Sequence, residues 1–343
     1  MKCFFCHNLT AWPTERLSTR VLYVLVGIIG VVFILFWLVG FSLPFDDDPN
    51  FTAPLFTNLL LALMYILAFL FGMFIALADD VAEKRGVDDR KIIEDFAFTT
   101  IVSGLIGARL YYVIFKFADY IGNPLSIFYI WEGGLAIHGG IIGAFIGACY
   151  YAKKNKMNLW VLTDMAVGPL LFGQFLGRFG NLANGEVHGV PTFTPLSVIF
   201  SGRFNEWWIK YQSMSTAAQA QFKQVVPWGL VFPLNTPAGS EFPNLPLHPA
   251  MLYEAFLNLI GFIILWFYFR KKEYNPGVLS MIYLIMYAII RTFVSTFRAE
   301  DLLIFGIRLP YLISIVMIIV AIIGIKFFSS PERKFVPAKS EEK

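Results

Sequence analysis

The feature that most constrains this chain is the recurrence of uncharged apolar stretches long enough to cross a lipid bilayer. From Val21 to Phe41, 21 consecutive residues carry no charge. A bilayer core about 30 Å thick takes a helix of about 20 such residues. A backbone in hydrocarbon must satisfy its own hydrogen bonds, so repeated runs of this kind predict a bundle of helices. Reading each run against its flanks gives eight expected spans, at 21–42, 55–78, 95–117, 135–152, 159–183, 250–269, 277–297 and 309–328. The composition, 57% hydrophobic and 15% charged, agrees with an all-α polytopic membrane protein. The first run is long for a signal-peptide core and leads to Leu43-Pro44-Phe45 and three aspartates, so it is expected to stay as an anchor.

An even number of spans puts both termini on one side. Of the 27 Lys and Arg, 18 fall in one alternating set of loops and tails and six in the other, although the second set includes the longest loop. The positive-inside rule therefore places both termini in the cytoplasm. The net charge of +3 is a topology signal, and no nucleic-acid partner is expected. The long loop, 187–247, is expected to form a small extracytoplasmic head. Its Trp207, Trp208 and Trp228 suit either the lipid interface or the head's own core. The expected organisation is a cytoplasmic tail and a helix over 1–50, a transmembrane core over 51–328 including the head, and a disordered cytoplasmic tail over 329–343. Cys3, Cys6 and His7 lack a second ligand pair and Cys149 lies in an apolar run, so neither a metal site nor a disulfide framework is expected.

Ionisable side chains inside a bilayer are costly and mark function by default. By the topology above, Arg109, Arg178, Arg291, His138 and Glu254 all fall in the outer half of the membrane, from five different helices. Three arginines against one glutamate make a cluster expected to be net positive, and such a cluster needs an anion. Guanidinium forks suit phosphate, and the anion available at that depth is a phospholipid headgroup. The stretch GRFGNLANGEVHG, Gly177 to Gly189, puts Arg178, Asn181 and Asn184 on one helix face. Gly173, Gly177 and Gly180 have the spacing that allows close approach to the backbone, and Gly185 and Gly189 are expected to end the helix. Taken alone, the stripe also fits a packing seam with capping residues. In WEGGLAIHGGIIG, Trp131 to Gly143, His138 has room to act as a base near neutral pH, although a lone membrane histidine also fits a structural hydrogen bond. In HPAMLYEA, His248 to Ala255, Pro249 suits a first helical turn, and Glu254 is expected to pair with an arginine.

These segments, in this order, resemble the prolipoprotein diacylglyceryl transferases of the bacterial inner membrane. GRFGNLANGEVHG resembles that family's G-R-x-G-N-x-x-N-G-E signature, GGLAIHGG its H-G-G segment and HPAMLYE its H-P-x-x-L-Y-E segment. RTFVSTFR, Arg291 to Arg298, is similar to its later arginine helix, and FTNLLLALMY, Phe56 to Tyr65, to its opening helix. The resemblance implies transfer of the diacylglyceryl group of phosphatidylglycerol to the lipobox cysteine of a prolipoprotein, with no cofactor and no metal. It implies that Arg178 and Arg291 hold the phosphate and that Asn181, Asn184 and Gly189 shape the site. His138 would assist deprotonation of the thiol, and Glu186 would orient the arginine or the glycerol hydroxyls. Arg109, Glu254, Tyr65 and Arg298 complete the expected substrate-binding set. Three positions depart from the family pattern: Leu61 for a tyrosine, Met251 for a glutamine and Ser295 for a glutamate. The family usually shows seven spans, so the resemblance implies that the run from Val21 to Phe41 is an added helix. The expected protein is a monomer of the inner membrane with its active site in the outer half. Two rival readings are a homologue that binds lipid or prolipoprotein without turnover, and an anionic-lipid transporter, against which the absence of an internal repeat speaks.

Overall fold

The computed structural model describes residues 72, 75–76, 85, 87, 89–129, 133–299, 303–304 and 307–330, all within the compact unit Leu59–Lys343. The expected span at 21–42, nearly all of the one at 55–78, and the cysteines of the N-terminal tail lie outside these residues, as do Tyr65, Leu61 and the tail beyond Ser330.

In chain order, the long helices α1 (Arg90–Phe115), α2 (Ile137–Lys154) and α3 (Leu159–Asn184) come first. The head follows, with short helices α4 (Leu196–Ser201), α5 (Phe204–Gln212), α6 (Thr216–Gln219) and α7 (Pro237–Glu241). Then come α8 (Ala250–Ile264), continued by a π-helical turn at Leu265–Phe269, and α9 (Val278–Phe297). A two-stranded hairpin of β1 (Leu303–Ile304) and β2 (Ile307–Arg308) leads into α10 (Leu309–Phe328). Five of these segments are long and apolar enough to cross a membrane: Lys91–Phe115, Leu159–Asn184, Ala250–Phe269, Val278–Phe297 and Leu309–Phe328. The architecture is the expected all-α polytopic membrane protein, and the described helices begin and end within a few residues of six of the expected spans.

Between helices in lipid there is little hydrophobic driving force, so close packing has to hold them. In the α1–α2 pair, glycine meets glycine: a Cβ on Gly107 would lie 2.8 Å from the Gly143 Cα. The α3–α8 pair packs aromatic rings instead. Phe172 meets Phe262 edge-on at 5.3 Å, Phe262 stacks on Trp266 at 5.7 Å, and Gly168 leaves the indole room, since a Cβ there would come within 2.8 Å of it. Such ring pairs contribute about 0.5–1.5 kcal/mol each beyond burial. This interface fixes the register of the two helices that carry Arg178 and Glu254.

At the end of the bundle away from the head, Asp164 of α3 reaches the start of α9. Its carboxylate accepts from the backbone N–H of Gly277 at 2.8 Å and of Ser280 at 2.8 Å, and from the Ser280 hydroxyl at 2.6 Å. Arg85 pairs with it at 3.0 Å. A carboxylate at a helix N-terminus satisfies free N–H donors and meets the positive end of the helix dipole. Here the cap of one helix is supplied by another.

The head's core, built on Val190, Ile199, Phe204, Phe232, Phe242 and Leu247, continues into the bundle through Met251 of α8. Trp208 stacks on Phe204 at 5.8 Å and on Tyr211 at 5.3 Å, and Trp207 stacks on Tyr211 at 5.3 Å. Of the two settings open to the tryptophans, these two fill the head's interior, while Trp228 is 57% exposed. The head is closed at its base by backbone bonds: Gly189 N–H donates to the His248 carbonyl at 2.9 Å, His248 N–H to Val190 at 2.9 Å, and Val190 N–H to Phe297 at 2.9 Å.

Candidate active site

The last turns of α3 build one side of the site. Gly185 ends the helix in the left-handed region, with φ +63°, as its place in Asn184-Gly185 predicts. The Glu186 N–H turns back to the Asn181 carbonyl at 2.9 Å. That corner brings the Glu186 carboxylate over the stripe: Asn181 donates to it at 3.3 Å and Asn184 at 3.4 Å. Asn181 in turn accepts from Arg178 Nη1 at 3.1 Å.

Arg178 Nη2 also donates to Glu254 Oε1, and Glu254 Oε2 lies 3.6 Å from Arg291 Nη1. Residues of α3, α8 and α9 are thereby joined in one chain running from Asn184 through Glu186, Asn181, Arg178 and Glu254 to Arg291. The Glu254 side chain is completely buried, whereas those of Arg178 and Arg291 keep 20% and 21% of their surface. The expected pairing of Glu254 with an arginine is present, and with two of them. Two guanidiniums side by side repel each other, and a sealed carboxylate between them makes their proximity tolerable. The Arg–Glu–Arg set carries a formal charge of +1, with the exposed Glu186 carboxylate linked to it through Asn181, and its accessible guanidinium surface can hold an anion. Guanidinium forks with accessible surface can offer parallel N–H donors to a phosphate.

Arg109, expected in the substrate-binding set, does not join this cluster. Its guanidinium donates to five backbone carbonyls in the α1–α2 connection: Ile127 at 2.8 Å, Ser126 at 2.7 Å, Gly133 at 2.7 Å, Gly134 at 2.9 Å and Tyr129 at 3.4 Å. The Tyr120 ring covers it at 5.4 Å. All three guanidinium nitrogens are taken up by peptide oxygens, which leaves Arg109 as a brace for that connection. The cluster is one positive charge poorer than the sequence count implied.

His138 opens α2 with its ring 6.1 Å from that of Tyr111. It is exposed and forms no hydrogen bond or ion pair with the arginine cluster. Gly189 sits at the foot of the head, where a Cβ would lie 2.7 Å from the His248 Cβ and 2.8 Å from the Phe297 carbonyl, so only glycine fits. Its backbone also pairs with Arg298, just past the end of α9, and the Arg298 carbonyl accepts from Arg308 at 3.0 Å.

Two histidines near the site went unassigned in the sequence. His188 Nε2 lies 3.1 Å from Glu241 of α7 and ties the signature stretch to the head. His248 is buried, with Nδ1 3.0 Å from the Tyr253 hydroxyl, which accepts from Trp228 Nε1 at 2.9 Å. Burial pushes its imidazole pKa down to about 4, so it is neutral in the folded protein. Of the departures, Met251 and Ser295 are both fully buried, and the Ser295 carbonyl accepts from Arg308 Nη1. Among the described residues, no group of three or more His, Cys, Asp or Glu stands where it would hold a metal ion.

Comparison with known proteins gives consistent results. The family described as "Prolipoprotein diacylglyceryl transferase" matches residues 54–327. A protein of Fusobacterium nucleatum named "Phosphatidylglycerol--prolipoprotein diacylglyceryl transferase" is 52% identical over 267 residues, 77% of this chain and 92% of its own length. Proteins of the same name from Oceanobacillus iheyensis and Synechococcus elongatus are 34% and 30% identical, covering 76% and 73% of this chain and 81% and 77% of their own lengths.

Proposed function

The chain belongs to the prolipoprotein diacylglyceryl transferase family, and from that premise we propose that it transfers the sn-1,2-diacylglyceryl group of phosphatidylglycerol to the lipobox cysteine of a prolipoprotein. In this reaction the cysteine sulfur forms a bond to the glycerol carbon next to the phosphate. The carbon–oxygen bond breaks, and its electron pair leaves on the phosphate oxygen as glycerol phosphate. The thiol proton passes to a base.

The observation that carries this reading is the Arg178–Glu254–Arg291 set, with two partly accessible guanidiniums held on one sealed carboxylate. Charge grows on the leaving phosphate during bond breaking, and donors already aimed at it stabilise the transition state more than the bound lipid. Arg178 is oriented by Asn181 and by Glu254, while Asn184 and Glu186 close the rim and face the glycerol headgroup. Arg298, whose backbone pairs with Gly189, is assigned to the substrate-binding set. His138 has ring nitrogens that no described residue hydrogen-bonds, so either is available to take the thiol proton; a thiol with a pKa near 8.5 needs that help at neutral pH. Tyr65 stands in the segment similar to the family's opening helix and is assigned to the lipid site on that basis. In this reading one chain works alone in the bacterial inner membrane, with both termini cytoplasmic and the site in the outer half.

The test is purified protein supplied with phosphatidylglycerol and a lipobox peptide containing one cysteine, with the product read by mass spectrometry. A diacylglyceryl adduct that disappears with Arg178→Ala is expected. No adduct from folded protein, beside a working family member, would overturn the reading.

A further inference from the structure

Two fully buried residues on one stripe of α8 have polar atoms that no described residue hydrogen-bonds. Glu254 Oε2 has none, since its contact with Arg291 Nη1 is an ion pair at 3.6 Å. Asn258, one turn along the helix and 0% exposed, has neither its Nδ2 nor its Oδ1 hydrogen-bonded by any described residue. Residues four apart on a helix face the same way and their side chains meet. The stripe continues to Gly261, where a Cβ would approach Ile290 and Met286 of α9 and Leu171 of α3. It therefore faces the two helices that supply Arg291 and Arg178. A buried amide with nothing paired is costly and rare in native proteins, which points to a second state in which it is used.

The two arginines are held unequally. Arg178 hydrogen-bonds both Glu254 and Asn181, whereas Arg291 meets Glu254 only through the long ion pair. An arriving phosphate would draw Arg291 off first. Glu254 Oε2 would then be a sealed carboxylate oxygen without a cation, a state whose cost is set against lipid binding. Resting on the transferase reading for the identity of the anion, we propose that Asn258 is a positioning residue for lipid binding. When the phosphate of phosphatidylglycerol takes Arg291, the Asn258 amide donates to Glu254 Oε2 and keeps the carboxylate paired and fixed on Arg178. Asn258 itself touches neither substrate.

The experiment measures phosphatidylglycerol binding to the full-length protein in detergent by native mass spectrometry, together with KM and kcat for the adduct. Asn258→Leu, similar in shape without a donor, is expected to weaken lipid binding and raise the lipid KM roughly tenfold. The peptide KM and kcat are expected to change less than about twofold. In a Glu254→Gln background the same substitution is expected to cost less than about twofold, because no charge is left to pair. Asn258→Asp, which sets a second carboxylate against Glu254, is expected to bind lipid worse than Asn258→Leu. Lipid binding by Asn258→Leu within about twofold of wild type, an equal loss in both backgrounds, or Asn258→Asp binding as wild type would each overturn the proposal. If Asn258→Leu does not fold, the ranking of Asn258→Asp against wild type decides. Binding is read without turnover, so wild-type protein that binds the lipid but forms no adduct would unseat the transferase reading while the comparison still decides the role of Asn258.

Discussion

Holding two guanidiniums close together means overcoming their mutual repulsion, and Glu254 does this by sitting sealed between Arg178 and Arg291. The fork of Arg291 is what a lysine cannot copy. Arg291→Lys is expected to lower kcat/KM at least roughly thirtyfold, about 2 kcal/mol of transition-state stabilisation, while the protein still inserts; wild-type turnover from that variant would remove phosphate clamping from the mechanism. His138→Gln is expected to slow the reaction more at about pH 6.5 than at about pH 9, where the thiol ionises unaided; equal losses at both values would make the histidine structural. Much of this site was legible in the sequence, because Arg178, Asn181, Asn184 and Gly185 lie within one helical end whose spacing fixes a face and a stop. The fate of Arg109 was not. Whether a buried arginine meets an anion or peptide carbonyls depends on the path of a connecting loop, here the carbonyls of Ser126, Ile127 and Gly133, and no local pattern encodes that path.

At the scale of elements, length and apolarity placed the described helices to within a few residues, since bilayer thickness sets both. What ties one helix to another was less visible. Asp164 is a single carboxylate in the apolar run of α3, and that alone could have flagged it, but its partners at Gly277, Ser280 and Arg85 come from distant parts of the chain. It caps α9 while buried, so removing it leaves N–H donors and an arginine without their acceptor. Asp164→Ala is expected to cost about 3–5 kcal/mol of stability, seen as a lowered Tm in detergent, with Asp164→Asn losing less because it keeps an acceptor. A Tm for Asp164→Ala equal to wild type would show that the cap is dispensable.

For the whole molecule, the joint between head and bundle is the place where acid should act. His248 bonds the first residues of the head through its backbone and Tyr253 through its ring, and burial holds its pKa at about 4 against about 6.5 when unfolded. Between those values the unfolded chain binds a proton that the folded one refuses, so this contribution is complete above about pH 6.5 and is lost progressively as pH falls towards 4. The Tm of wild type is expected to drop between about pH 7 and pH 5 by more than that of His248→Gln; parallel curves would place the acid sensitivity elsewhere.

The same joint bears on how such a protein can diversify. Because Gly189 and His248 are clipped together at 2.9 Å, the chain enters and leaves the head side by side. The register of α3 against α8 is set by Phe172, Phe262 and Trp266, so exposed head residues away from the shared core can be exchanged between lineages without shifting it. The exposed surface of the head can therefore drift over generations, while the arginine pair stays as it was.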